Sequence, residues 1–134
     1  MKAVNWMIVA NGTCMKLYKF PEDTQVLEKP EVILHPQTRM VNEVDNEHWH
    51  HAEAGSEHRL IEEKKFAKEI SHYLKKAHDS KEFAHLYLAA SPTLLGLLRN
   101  ELSKDVESAI YEQVAKDLTK FNGNEIWKHF PSHE

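Results

Sequence analysis

Two short, largely apolar runs constrain the fold of this chain more than any other feature. They are Trp6-Met7-Ile8-Val9-Ala10 near the start and the stretch from Ala84 to Ala90, which carries His85 within it. Runs this short suit strands, and a strand apolar on both faces must be covered on both. Around the first run the local signals predict a hairpin over residues 5–20. Asn11-Gly12 is a strong turn dipeptide. After Thr13-Cys14, Met15, Leu17 and Lys19 alternate with Lys16, Tyr18 and Phe20, and Pro21 ends the run. Val32-Ile33-Leu34 predicts a third strand within residues 26–35. Pro30 cannot donate a ladder hydrogen bond, which places that strand at an edge or breaks it there.

The second half alternates helix and strand. From Leu60 to His78, Leu60, Lys64, Ala67, Ile70, Leu74 and Ala77 recur at spacings of three and four, with Phe66 and Tyr73 widening the stripe. Glu57 near its start and Lys75, Lys76 and His78 near its end complement the helix dipole. Ser91-Pro92 follows the strand of residues 84–90 as an N-cap and N1 pair, opening a helix that sets Leu94, Leu95, Leu98 and Leu102 on one face. Gly96 inside it costs about 1 kcal/mol relative to alanine, which predicts a close packing contact. Ser108 to Val114 reads as a last strand with Ile110 and Val114 inward, and Asp117-Leu118-Thr119 leads to a short helix over residues 125–129. Between the third strand and the long helix lies a polar loop of about residues 36–57, which lacks a sustained period; loops of that length are commonly functional. The expected fold is α/β: a mixed β-sheet flanked by helices, opened by an antiparallel hairpin, with parallel pairing among the later strands.

Composition narrows the function classes. A chain of 134 residues falls at the size of one domain, and 41% hydrophobic with 28% charged residues is ordinary for a globular protein. With 17 basic against 21 acidic residues the net charge is −4, which argues against a dedicated polyanion binder, so no DNA partner is expected. Cys14 is the single cysteine, so neither an internal disulfide nor a cysteine-based zinc site can form. The first apolar run is too short for a signal-peptide core, and nothing approaches the ~20 apolar residues of a membrane span. The expectation is a cytoplasmic protein without membrane insertion.

Several of these segments together carry a family resemblance. The run from Leu86 to Arg99, through Ala89-Ala90-Ser91-Pro92-Thr93-Leu94-Leu95-Gly96, resembles the strand-to-helix signature of the bacterial host-attachment protein family. Lys116-Asp117-Leu118-Thr119 is similar to its closing motif, and Trp6 to Ala10 followed by Lys16-Leu17-Tyr18 to its first hairpin. His35-Pro36 with Arg39, and Glu62 to Ile70, match further elements, so the resemblance runs over nearly the whole chain. That family in turn resembles the central domain of archaeal and eukaryotic peptide-chain release factors, which implies an RNase H-like fold. A Gly-Gly-Gln loop before the long helix performs release in those factors. Here the corresponding stretch is Ala54-Gly55-Ser56-Glu57, with one glycine and no glutamine, so the release chemistry does not carry over. What the resemblance implies is a ribosome- or RNA-facing fold, or a protein recruited to a role in host attachment. Joined to the polar loop before the long helix, it gives the expectation of a non-catalytic module that binds the ribosome, RNA or a protein partner through residues 42–58.

Read for chemistry, the polar loop is the richest segment. His48, His50, His51 and His58 lie amid Asp45, Glu47, Glu53 and Glu57, a donor set that suits zinc, nickel or copper, or a solvated His-rich loop. These imidazoles titrate near neutral pH, so mild acid would add positive charge there. Trp49 is either a stacking platform for a base or partner, or a side chain that folds back on the domain. With Gly55, Ser56, Glu57 and Arg59 it makes up the candidate binding loop. Ser91 and Thr93, with Arg99, are a candidate anion site past a strand's carboxyl end, against simple capping. A metal-dependent hydrolase acting on nucleic acid or a tRNA-linked ester would use the His-rich loop, with Asp45 and Glu57 cooperating. Cys14 reads as a small packed residue, and no catalytic residue is assigned. No cofactor is expected beyond such a transition metal.

Overall fold

The structure, a computed structural model, describes residues 3–34 and 52–131, with the side chains of the second stretch described from residue 60. Five strands form one mixed sheet: β1 (Val4–Ala10), β2 (Cys14–Pro21), β3 (Glu31–Leu34), β4 (Leu86–Ala90) and β5 (Ile110–Val114), in the order β3-β2-β1-β4-β5. The hairpin of β1 and β2 is antiparallel, pairing Val4 with Pro21 and Ala10 with Met15, and β3 adds antiparallel to β2. β4 joins β1 in parallel and β5 joins β4 in parallel. The α/β class, the mixed sheet and the opening hairpin are therefore as the sequence predicts. Pro30 immediately precedes β3, which is an edge strand, where a missing N–H costs least.

Period-2 alternation sorts the central strands onto two cores. Trp6, Ile8, Ala10, Met15, Leu17, Leu86, Leu88 and Ala90 face one side, while Met7, Val9, Tyr18, Phe20, Tyr87 and Ala89 face the other. The first face is covered by α1 (Ala52–Asp79), α2 (Pro92–Glu101) and α3 (Lys104–Ala109). The second is covered by the chain after β5, including α4 (Gly123–Ile126) and the 3₁₀ turn Trp127–His129, through Leu118, Ile126, Trp127 and Phe130. A bulge in β5 explains how Ile110 and Val114 both turn inward yet serve different faces. Leu86 pairs with Ile110 but Tyr87 with Glu112, so Tyr111 is skipped and the parity reverses.

Four expectations are corrected. The long helix begins at Ala52, eight residues before Leu60, so the polar loop cannot extend to residue 57. Ala52, Glu53, Ala54 and Glu57 are good helix formers, but the segment shows no apolar period, and period records burial rather than helicity. For the same reason Leu60 and Lys64 are not part of the buried stripe: both are exposed, and the stripe starts at Phe66 and Ala67. The last strand starts at Ile110 because Ser103 caps α3, its hydroxyl accepting from the Val106 N–H at 3.3 Å, with Asp105 in the first turn. Gly96 is exposed, and a β-carbon there would meet nothing within 4 Å, so no close contact explains it.

Candidate functional site at the carboxyl edge of the sheet

β1 and β4 run parallel, so the loops leaving their carboxyl ends lie side by side, the usual location of ligand sites in such sheets. Asn11 leaves β1 and Ser91 leaves β4; the Ser91 N–H donates to the Ala10 carbonyl at 3.2 Å. Asn11 closes the hairpin loop with its side chain. Its Oδ1 accepts from the Thr13 N–H (2.8 Å), the Thr13 hydroxyl (2.8 Å) and the Cys14 N–H (3.0 Å). The Asn-Gly pair thus marks the turn correctly, but it works through the asparagine side chain; Gly12 does not adopt a positive φ. The tip also touches α1, since a β-carbon on Gly12 would come within 2.6 Å of the Glu63 carboxylate.

The chain after β5 is tied to the same point. Leu118 is buried in the second core and fixes the residues on either side of it. Asp117 Oδ1 accepts from the Thr119 N–H (3.0 Å) and hydroxyl (2.6 Å), while Oδ2 accepts from the Asn11 amide at 3.0 Å. Asn11 also donates to the Thr119 hydroxyl at 3.2 Å, and Lys16 Nζ donates to the Thr119 carbonyl. The sequence flags Asp117-Leu118-Thr119, but nothing in it shows that Asn11, more than a hundred residues away, is the partner.

The chemistry of this cluster follows from those bonds. Burial is the largest single influence on Asp117 and works upward. Hydrogen bonds from the Thr119 hydroxyl, the Asn11 amide and the Thr119 N–H, with the Lys120 charge, outweigh it and hold the carboxyl below its ordinary range. Asp117 is therefore an anion at neutral pH with both oxygens engaged, a poor general base. Burial pushes the Cys14 thiol up, against smaller opposing effects of Lys16 and Thr13, which disfavours the nucleophilic thiolate. Beside the cluster, on the face opposite α1, opens a cleft of about 540 Å³ lined by Lys16, Tyr18, Leu27, Lys120, Phe121 and Asn122, among others.

The sequence-predicted site residues fall in three places. Trp49, His48, His50, His51, Asp45 and Glu47 lie outside the described residues. Gly55, Ser56, Glu57, His58 and Arg59 are in the first turns of α1, where only the backbone is described, so a loop is not the setting for them. Ser91 is the N-cap of α2 with Pro92 at N1, but its side chain makes no capping hydrogen bond, and Thr93 is exposed in the first turn. Arg99 is in the last turn, about 12 Å along the helix axis from Ser91 at ~1.5 Å per residue. The helix does not bring Arg99 to the Ser91 end. Among the described residues, a set of three metal donors within reach of one ion is found at the opposite edge of the sheet, in His78, Asp79 and Asp105.

Fold and site together define an α/β domain built on a mixed sheet, with a hydrogen-bonded polar knot at the carboxyl edge and a long helix beside it. The family model described as "Protein required for attachment to host cells" matches residues 6–130. The chain belongs to this host-attachment family. No curated protein matches it significantly.

Proposed function

We propose that this host-attachment family protein is a non-catalytic binding module with a release-factor-like, RNase H-like fold. It works in the cytoplasm and docks on the ribosome through the amino half of α1 and the segment before it. The observation that carries this reading is the reach of α1. Its 28 residues extend about 42 Å at ~1.5 Å per residue, and among its side chains described from residue 60 onward the buried ones start at Phe66. Leu60 and Ile61, 42% and 51% exposed, are offered outward, as a docking surface requires. The polar knot supports the non-catalytic part, since its carboxylate is committed to holding two loops together. No described helix is long and apolar enough to cross a membrane, which fits a partner in the aqueous phase.

The test is co-sedimentation of the tagged chain with ribosomes from a native lysate at low and moderate salt. Movement with ribosomes, abolished by Leu60→Glu with Ile61→Lys, is the expected result. Both side chains are exposed, so the fold should persist. Sedimentation free of ribosomes at both salts, or binding indifferent to the double substitution, overturns the reading in favour of a protein or free RNA partner.

A further inference from the structure

We propose that His78, Asp79 and Asp105 form a site for a divalent transition cation, with zinc as the representative ion, at the carboxyl end of α1. One donor atom from each lies within 4.8 Å of the others. A tetrahedral ion with bonds of about 2.0–2.2 Å needs its ligand atoms roughly 3.4 Å apart. Asp79 and Asp105 are exposed, so rotation of their side chains can narrow that gap. His78 supplies the fixed member. It is half-buried, and its ring meets Phe83 edge-on at 5.8 Å and 62°, while Phe83 is itself 5% exposed in the first core.

Donor chemistry sets the class of ion. Magnesium and calcium take oxygen ligands, whereas one imidazole with two carboxylates suits zinc and its neighbours. Placement favours a cation too. Asp79 ends α1, at the negative end of that helix dipole; Asp105, in the first turn of α3, contributes a carboxylate but no such dipole advantage. The existing partner of Asp79 is Lys75, at 3.5 Å with both side chains about half exposed, and such surface pairs contribute little. An ion would displace it readily. Three protein ligands leave a position for water. The ligands come from two elements, so the ion would tie the base of α1 to α3. None of these residues belongs to the His-rich segment of residues 48–58.

The experiment is calorimetric titration of the dialysed full-length chain with zinc chloride, repeated on H78Q, D105N and a variant with His48, His50, His51 and His58 all changed to Asn. One site per chain is expected in the wild type and the four-histidine variant. It should weaken by roughly ten- to hundredfold in H78Q and D105N, the loss typical of disturbing a metal's ligand system. Should H78Q fail a circular-dichroism check because of its Phe83 contact, the exposed D105N carries the test alone. Absence of binding up to about 1 mM zinc, or binding that D105N leaves intact and the four-histidine variant abolishes, overturns the proposal.

Discussion

The two faces of the sheet are covered by different means. On one, α1, α2 and α3 spread burial over aliphatic residues at helical spacing: Ile70 and Leu74 from α1, Leu94, Leu95 and Leu98 from α2, Val106 from α3. On the other, the described chain after β5, residues 115–131, has short helical pieces and relies on aromatic area. Trp127 meets Phe20 at 5.4 Å and Tyr87 at 4.9 Å, both edge-on, and donates its indole N–H to the Gln25 carbonyl at 2.8 Å. Phe130 adds an edge contact to Tyr87 at 5.9 Å. Helices can share a load among many equivalent positions; a short cover concentrates it in a few large side chains and the bonds that pin them. The second cover should therefore open locally, and the first only with the whole fold.

The sharpest test of that contrast pairs one substitution from each face. Trp127→Ala should cost about 3–5 kcal/mol and Leu74→Ala about 2–5 kcal/mol. Hydrogen exchange in Trp127→Ala should rise after residue 115 while the Phe66–Ala77 part of α1 stays protected, and Leu74→Ala should loosen both. Equal loss of protection on both faces in Trp127→Ala breaks the comparison. Next in size is Gly123→Ala, at roughly 1–3 kcal/mol. A β-carbon there would lie 2.7 Å from Leu27 Cβ and 2.9 Å from the Leu27 carbonyl, so the cover would be pushed away from the strand side; an unchanged denaturation midpoint would show that it yields freely.

Asp117→Asn probes the polar pin of the same cover, and hydrogen bonding at this exposed position predicts a loss of about 1 kcal/mol at neutral pH. The folded carboxyl is held below its ordinary range. Its contribution is therefore present above the unfolded value of about 4 and lost as pH falls through the folded value. Urea melts of wild type and variant should differ at pH 7 and converge below about pH 4; a gap that widens on acidification would reverse the sign. The smallest effect is on the helical face, where Gly96→Ala should gain about 0.5–1 kcal/mol, read as a higher thermal midpoint.

How much was legible in the sequence divides along the same line. Apolar runs and turn chemistry mark β1, β2 and β4, and heptad-like spacing marks α2 and the core half of α1, because burial imposes those patterns. Residues 52–59 of α1 carry no such pattern, so nothing periodic in the sequence marked them as helix. α3 is too short for its period to outweigh the strand-like Ile110 to Val114, so its last residues read as strand from Ser108. In the candidate site, Asp117 and Thr119 were visible as a motif, and Ser91 as the residue after a strand. Asn11 was seen as a turn residue, while its bonds to Asp117 and Thr119 were not, and His78 was seen as a charge at a helix end.

By itself the sequence determined the class of fold, the two-sided strands, the hairpin and the family, all of which follow from local pattern or whole-chain resemblance. Only the tertiary structure decided that Asn11 holds Asp117 and that His78 and Asp79 meet Asp105. It alone decided that Tyr111 is skipped so β5 changes face, and that Arg99 stands apart from Ser91. Each of these joins, or separates, residues whose distance in space is fixed by strand order and helix length. Side-chain type predicts what a residue can bind; which partner arrives is set by the path of the chain.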